Sequence, residues 1–494
     1  MNGFAARFDA LSDWLSPILV KEVRQMVRGR GFNYTFGLSL LVGLLIAFFG
    51  GANALSDEHV SGVSIFASLM GCLCLIGLIV VPLGTFNALR QEWAERTLDL
   101  VTITNLSPRR IVIGKLLSQS IKLVTLWATL SPFVATSFLL GGIDFLTIVI
   151  SLSILFMVAL WFCAACIFLS SLSKSRLMSG FIFVMIGVVF LITIGFGRAG
   201  YYMMVYGSGF FGPGGLTFGL GGTGSKAWWE FAGIMTVFVV TTTNLVLLAE
   251  NRLSLPTENR TTALRLGFFV QFFLILGWQT LPTTPPAISA SPTPVDFITT
   301  LGVLAGIHLA IVSLFTVTED LAISRRALIQ TKASRLWLLR PGGGRGAAYI
   351  LLQMTMLLLV AWFLAPSTAD FRWVLAICSY ICFFTGVPAY VGRMFAPARM
   401  TTAHLRAATF LFFPFVMLMS EVFFYFFGWS GGGDFSVYHI VNPLRALSNW
   451  SIVEQNHWYS FAFGLGVAGV IAYLMLIRRG ESAAGMVDHV ATSD

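Results

Sequence analysis

Residues 91–115 read QEWAERTLDLVTITNLSPRRIVIGK. They sit between two long apolar runs. Val60–Leu89 contains no Asp, Glu, Lys or Arg, and neither does Leu123–Gly142. A run of about 20 mostly apolar residues is long enough to cross a bilayer as a helix. The segment between two such runs therefore lies outside the bilayer, tied at both ends to membrane helices. Its pattern is too regular for a plain loop. Leu98, Val101, Leu106 and Ile113 make a broken apolar face, while Glu92, Glu95, Arg96 and Asp99 point elsewhere. A short amphipathic element of this kind, between spans 2 and 3, suits a soluble partner that pushes on membrane helices.

The rest of the 494-residue chain agrees with a membrane setting. Hydrophobic residues make up 56% and charged residues 11%, against about 25% charged in a soluble domain. The mean hydropathy is +0.83. The fold expected is all-α: a polytopic helical bundle of about 12 transmembrane helices. The candidate spans are 34–55, 61–83, 117–140, 146–170, 178–197, 229–249, 266–282, 297–317, 348–366, 372–391, 407–428 and 456–477. Helices are the default because lipid offers backbone groups no partner, and the runs lack the alternation of a membrane barrel.

Basic residues set the orientation. With the N-terminus inside, four of the 31 lysines and arginines fall outside: Arg198, Lys226, Arg372 and Arg445. Both termini are then cytoplasmic. The net charge of +9 is a topology signal and does not point to nucleic acid. No cleavable signal peptide is expected, because Asp9, Asp13 and Glu22 interrupt residues 1–30. Four regions follow. Residues 1–30 form a cytoplasmic amphipathic lead-in, 31–250 a six-span core, 251–480 a second six-span module, and 481–494 a cytoplasmic tail.

In the lead-in, Pro17 starts a helix. Leu19, Val23, Met26 and Val27 fall on one face, and Lys21, Arg24 and Arg28 on another. Such a helix lies along the inner membrane surface with its basic face near anionic headgroups.

The order of residues resembles the ABC-2 class of ABC-transporter permeases. Their segment after the second span runs acidic-x-x-acidic or polar-x-T-L-x-L, then S-P-x-x-I-x-x-G-K. This chain has Glu92, Glu95, Thr97, Leu98 and Leu100, then Ser107, Pro108, Ile111, Gly114 and Lys115. It departs at Arg96, where the family usually has Gly. Pro17-Ile-Leu-Val-Lys-Glu-Val-Arg24, including Lys21 and Glu22, is similar to the family's lead-in helix. The resemblance covers residues 15–120 by motif and the remainder by topology alone. It implies a permease subunit working as an exporter in a bacterial inner membrane. ATP and Mg would be bound by a separate ABC ATP-binding subunit, and a second permease copy or paralogue would complete the path. The coupling surface implied is Glu92, Glu95, Arg96, Thr97 and Leu98, with Leu100 alongside and Ser107 and Pro108 setting the turn into the next span. The alternative for the lead-in is a simple membrane-surface anchor.

The residues themselves offer little chemistry. No G-x-x-x-x-G-K-[ST] phosphate cradle is present, so this chain is not expected to hydrolyse ATP or bind a cofactor. No H-E-x-x-H is present, and no metal site is expected. The six cysteines, including Cys163-x-x-Cys166, all fall in spans and read as packing residues. His308 lies mid-span and reads as a packed histidine. Glu421 is the clear acid within a span and the candidate intramembrane polar site. It either touches substrate or a neighbouring helix, or sits near the outer interface. Twelve glycines among residues 195–224 suit a flexible outside loop; short re-entrant helices are the reading the resemblance offers. Thr318–Arg345 occupies, in the second module, the slot that 91–115 occupies in the first. It lacks the motif, which leaves a decayed repeat or an appended module. Two other classes remain: a non-transporting membrane scaffold, and a polytopic enzyme acting on lipid-linked substrates.

Overall fold

Backbone amides and carbonyls in lipid can be satisfied only within their own segment, and the apolar runs among the described residues are helices. The computed structural model describes residues 17–56, 62–94, 108–140, 145–172, 180, 187, 224–254, 259, 261–280, 294–321, 337–395, 401–427 and 437–492. Among these there is no strand. The chain divides into two compact units, Met1–Ser254 and Leu255–Asp494.

The first unit holds α1 (Pro17–Arg28), α2 (Arg30–Ser56), α3 (Gly62–Leu75), α4 (Val81–Ala94), α5 (Pro108–Leu139), α6 (Phe145–Leu172) and α7 (Gly224–Leu253). A π-helical turn, Ile76–Val80, joins α3 to α4 without a break in the helical path. α5 lies at the centre and packs on α1, α2, α3, α6 and α7. Leu123, Leu126 and Leu130 of α5 interlock with Leu73, Ile76 and Val81 of the second span and with Leu155, Ala159 and Cys163 of α6. Nearer the end of α4, Phe86 meets Phe162 and Cys166, and the Ser170 hydroxyl donates to the Phe86 carbonyl at 3.2 Å. Gly43 lets α2 approach: a Cβ there would meet Leu130 and Phe133 side chains at 2.6 Å. The far side of α2 exposes Leu41, Leu44, Leu45, Phe48 and Phe49. So large a contiguous apolar surface suits contact with lipid rather than water.

The second unit holds α8 (Thr262–Thr280), α9 (Pro294–Thr316), α10 (Gly343–Leu364), α11 (Thr368–Phe395), α12 (Thr402–Phe427), α13 (Pro443–Ser448), α14 (Trp450–Gln455) and α15 (Tyr459–Thr492). α11 and α15 make its most extensive pairing. Small residues permit it. A Cβ on Gly469 would collide with the backbone of Cys382 and Phe383, and one on Gly466 with Ser379. The segment 437–458 folds over the end of this bundle. Tyr380 donates to the Ile440 carbonyl at 2.5 Å, the Trp373 indole to Leu447 at 3.3 Å and the Trp450 indole to Ala369 at 3.3 Å.

Among the described residues nine helices are long and apolar enough to cross a membrane. They match nine of the twelve expected spans. Of the other three, 266–282 corresponds to a shorter apolar helix, Thr262–Gly277, and 229–249 falls within α7, which is not among the nine. The third, 178–197, lies outside the described residues apart from Gly180 and Gly187. The chain is a multi-pass helical membrane protein.

Candidate functional site

The 91–115 stretch is less separate from the spans than its charge suggested. Gln91–Ala94 is the last turn of α4, and Pro108–Lys115 forms the first two turns of α5. Pro108 stands at the first helical position, where its missing N–H costs nothing. Ile111, Val112, Gly114 and Lys115 are buried. Ile113, on the apolar face of the segment, is exposed. Glu95, Arg96, Thr97, Leu98, Leu100 and Ser107 lie outside the described residues.

Lys115 is where the three pieces of the resemblance meet. It follows Ile111 and Val112 on the inward face of α5, and its side chain is 8% exposed. Its Nζ donates to Glu92 Oε1 at 2.7 Å and to Glu22 Oε1 at 3.1 Å. The ammonium carries three donors, and two carboxylates from different helices engage it. One comes from the end of α4 and the other from the middle of α1. A buried ammonium without such partners would be expensive to hold. Glu92, read from sequence as part of an outward contact surface, therefore has its carboxylate turned to Lys115.

The same pair sets the rotation of α1. Leu19 is buried, Glu22, Val23 and Met26 are half-buried, and Lys21, Arg24, Gln25, Val27 and Arg28 are exposed. The residues at 19, 22, 23 and 26 form one helical stripe. Val27, which shares an apolar face with Leu19, Val23 and Met26 by periodicity, is 53% exposed, because Glu22 takes the place against α5. Hydrophobic periodicity alone could not reveal this. The usable signal was a lysine at Lys115 on the same helical face as Ile111, Val112 and Ser118.

The second unit has a polar knot of its own. Arg265, in the first turn of α8, is wholly buried. It donates to Glu319 Oε2 at 2.6 Å, to the Gly342 carbonyl at 3.0 Å, to Leu338 at 2.8 Å and to Arg340 at 2.5 Å. Glu319 Oε2 also accepts from the Gly342 N–H at 3.0 Å, Arg393 donates to the Glu319 carbonyl, and Tyr349 donates to the Arg265 carbonyl at 2.7 Å. The planar guanidinium fork suits this many-sided recognition. It pins the chain that follows α9 to the chain that enters α10; residues 322–336 between them lie outside the described residues.

Glu421 faces the segment that covers the bundle end. It accepts from Asn442 Nδ2 at 3.1 Å, pairs with Arg445 at 3.1 Å and lies 3.7 Å from His439 Nε2. His439 is buried against the Phe424 ring. Burial pushes its imidazole below the ordinary value, Glu421 opposes that shift and Arg445 adds to it. His308 is buried between the Phe268 and Phe272 rings. The six cysteines are free, and no cluster of three or more metal-ligating side chains occurs among the described residues.

Comparison of the chain with protein-family models, with curated proteins and with solved structures gave no match in any of the three.

Proposed function

We propose that this chain is the membrane-spanning permease subunit of an ATP-driven transporter of the ABC-2 class, working as an exporter. A separate ABC subunit would bind ATP and Mg and hydrolyse the nucleotide. A second permease copy or paralogue would complete the path, and the setting would be a bacterial inner membrane with both termini cytoplasmic. The observation that carries the reading is the ion triad Glu22–Lys115–Glu92. It joins the lead-in helix, the end of the second span and the start of the third. Those are the segments in which the residue order is similar to ABC-2 permeases.

The triad also supplies a mechanical reason. The Glu92–Lys115 pair ties the end of α4 to the start of α5, on either side of the sequence 95–107. A partner that displaces the segment would then move α4 and α5 together, because slack at the junction is removed. The π-helical turn at Ile76–Val80 interrupts the regular hydrogen-bond ladder of the second span. It gives the helix that carries Glu92 a place to bend. Coupling requires such an element with two arrangements, biased by the nucleotide state of the partner.

The test is purification of the tagged full chain from its host in a mild detergent, with assay for a co-purifying ATPase. An ABC ATPase in stoichiometric amount is expected. It should be lost when residues 95–98 are scrambled with Glu92 left intact, while the chain stays monodisperse. Absence of any ATPase from preparations that keep other membrane complexes together would refute the permease reading and favour a scaffold or a polytopic enzyme.

A further inference from the structure

The outward face of α1 carries Lys21, Arg24 and Arg28, all exposed and spaced three and four residues apart. That spacing puts them on one side of a helix. Together with Val20 and Gln25 they line an open, shallow groove on the surface of α1. Among the described residues none of the three cations pairs with a carboxylate; Glu22, the acid on the same helix, is engaged by Lys115. That engagement fixes α1 in rotation, so the three charges are presented together instead of averaging over positions.

The place of α1 identifies what the charges meet. One residue, Gly29, separates it from α2, whose membrane-crossing stretch begins at Arg30. The headgroup layer is roughly 5–8 Å thick on each side of the hydrocarbon, so the C-terminal end of α1 lies at headgroup depth. Exposed Tyr34, one turn into α2, is a residue type that favours that level. We infer that the Lys21–Arg24–Arg28 groove is a binding site for the phosphate headgroup of an anionic phospholipid. The lipid holds α1 on the membrane surface while Glu22 holds it to α5. Three cations at a membrane surface attract an anionic headgroup by an amount that multiplies with each charge, and the guanidinium groups add paired hydrogen bonds to phosphate oxygens. The inference does not rest on the permease reading.

The experiment uses the full chain, delipidated in a neutral detergent and free of partner subunits, titrated with phosphatidylglycerol and read by native mass spectrometry. About fivefold in retention per charge is expected, so Lys21→Gln/Arg24→Gln/Arg28→Gln should bind the lipid about a hundredfold more weakly than the native chain. Arg90→Gln/Arg110→Gln/Arg478→Gln, which removes as many exposed charges elsewhere, should bind as the native chain does. The charge-conserving Lys21→Arg/Arg24→Lys/Arg28→Lys should also retain it, which separates loss of charge from loss of fold. Equal weakening by the two glutamine triples would overturn the inference in favour of general attraction to basic residues. Equal retention of phosphatidylcholine would overturn it too. Full competition by inorganic phosphate would make the groove a free-anion site and remove the lipid assignment. No partner is present in this preparation, so its outcome and that of the ATPase co-purification are separable.

Discussion

Replacing Lys115 by methionine keeps the unbranched stem, one atom shorter, and removes its charge. Glu22 and Glu92 each lie about 3 Å from Nζ, so their carboxylates are within about 6 Å of one another. With the ammonium gone, two like charges at that distance repel by about 3 kcal/mol at an effective dielectric constant of about 20. Removing one partner from a fully buried ion pair costs about 3–5 kcal/mol. Here the two carboxylate side chains are 16% and 27% exposed, which places the loss at the lower end, about 3 kcal/mol. For a unit of about 250 residues that corresponds to a fall in Tm on the order of 10 °C. The assay is thermal unfolding of the full chain in detergent, followed by near-ultraviolet circular dichroism. Adding Glu22→Gln to Lys115→Met removes the repulsion and should restore at least half of the loss, and Glu92→Gln should act the same way. A Lys115→Met chain that melts with the native one would refute the reasoning. So would double variants no more stable than Lys115→Met alone, since the coupling they measure would then be absent.

Three further outcomes are expected. Arg265→Met leaves Glu319 buried without its cation and strips three carbonyls of their donor, so the second unit should lose about 3–5 kcal/mol; Arg265→Lys, with no planar fork, should recover only part of it in the same melt. His439 should make stability depend on pH. Its folded-state value is lowered, so its contribution is complete above the ordinary value of about 6.5 and is lost as pH falls below it. A His439→Gln chain should show a flatter dependence in melts between about pH 5 and 8, and an unchanged slope would sink the assignment. Gly469→Val should force α15 away from the Cys382 backbone at a cost of about 1–3 kcal/mol or more, whereas Gly464→Val, where a Cβ would meet nothing within 4 Å, should melt with the native chain.

Several elements were legible in the residues. The apolar runs read as membrane helices because length and hydrophobicity are local properties, and among the described residues nine of them recur as helices able to cross a membrane. The start of a helix at Pro17 was legible for the same reason, since proline suits a first turn. The cysteines and His308 read as packing residues, and all of them lie buried or half-buried. Other elements were not legible. The spans read from charge stop at 83 and resume at 117, and the helices run further than those limits, α4 to Ala94 and α5 from Pro108. Helices continue past the apolar stretch when the charges on their extra turns have partners, and Lys115 and Glu92 provide one another with such a partner.

Glu421 shows the same division. Its position in an apolar run marked it as a polar site, and nothing nearby in the chain named its neighbours. Asn442, Arg445 and His439 reach it only because 437–458 folds back over α11 and α12. By itself, then, the sequence determined that this is a multi-pass helical membrane protein, since hydrophobic length and helical periodicity are written within single segments. The tertiary structure alone decided which charges meet. Lys115 finds Glu22 across 93 residues, and Arg265 finds Glu319 across 54. Such choices depend on how each helix is rotated about its axis when it packs, which is a property of the packed bundle and of no segment taken singly.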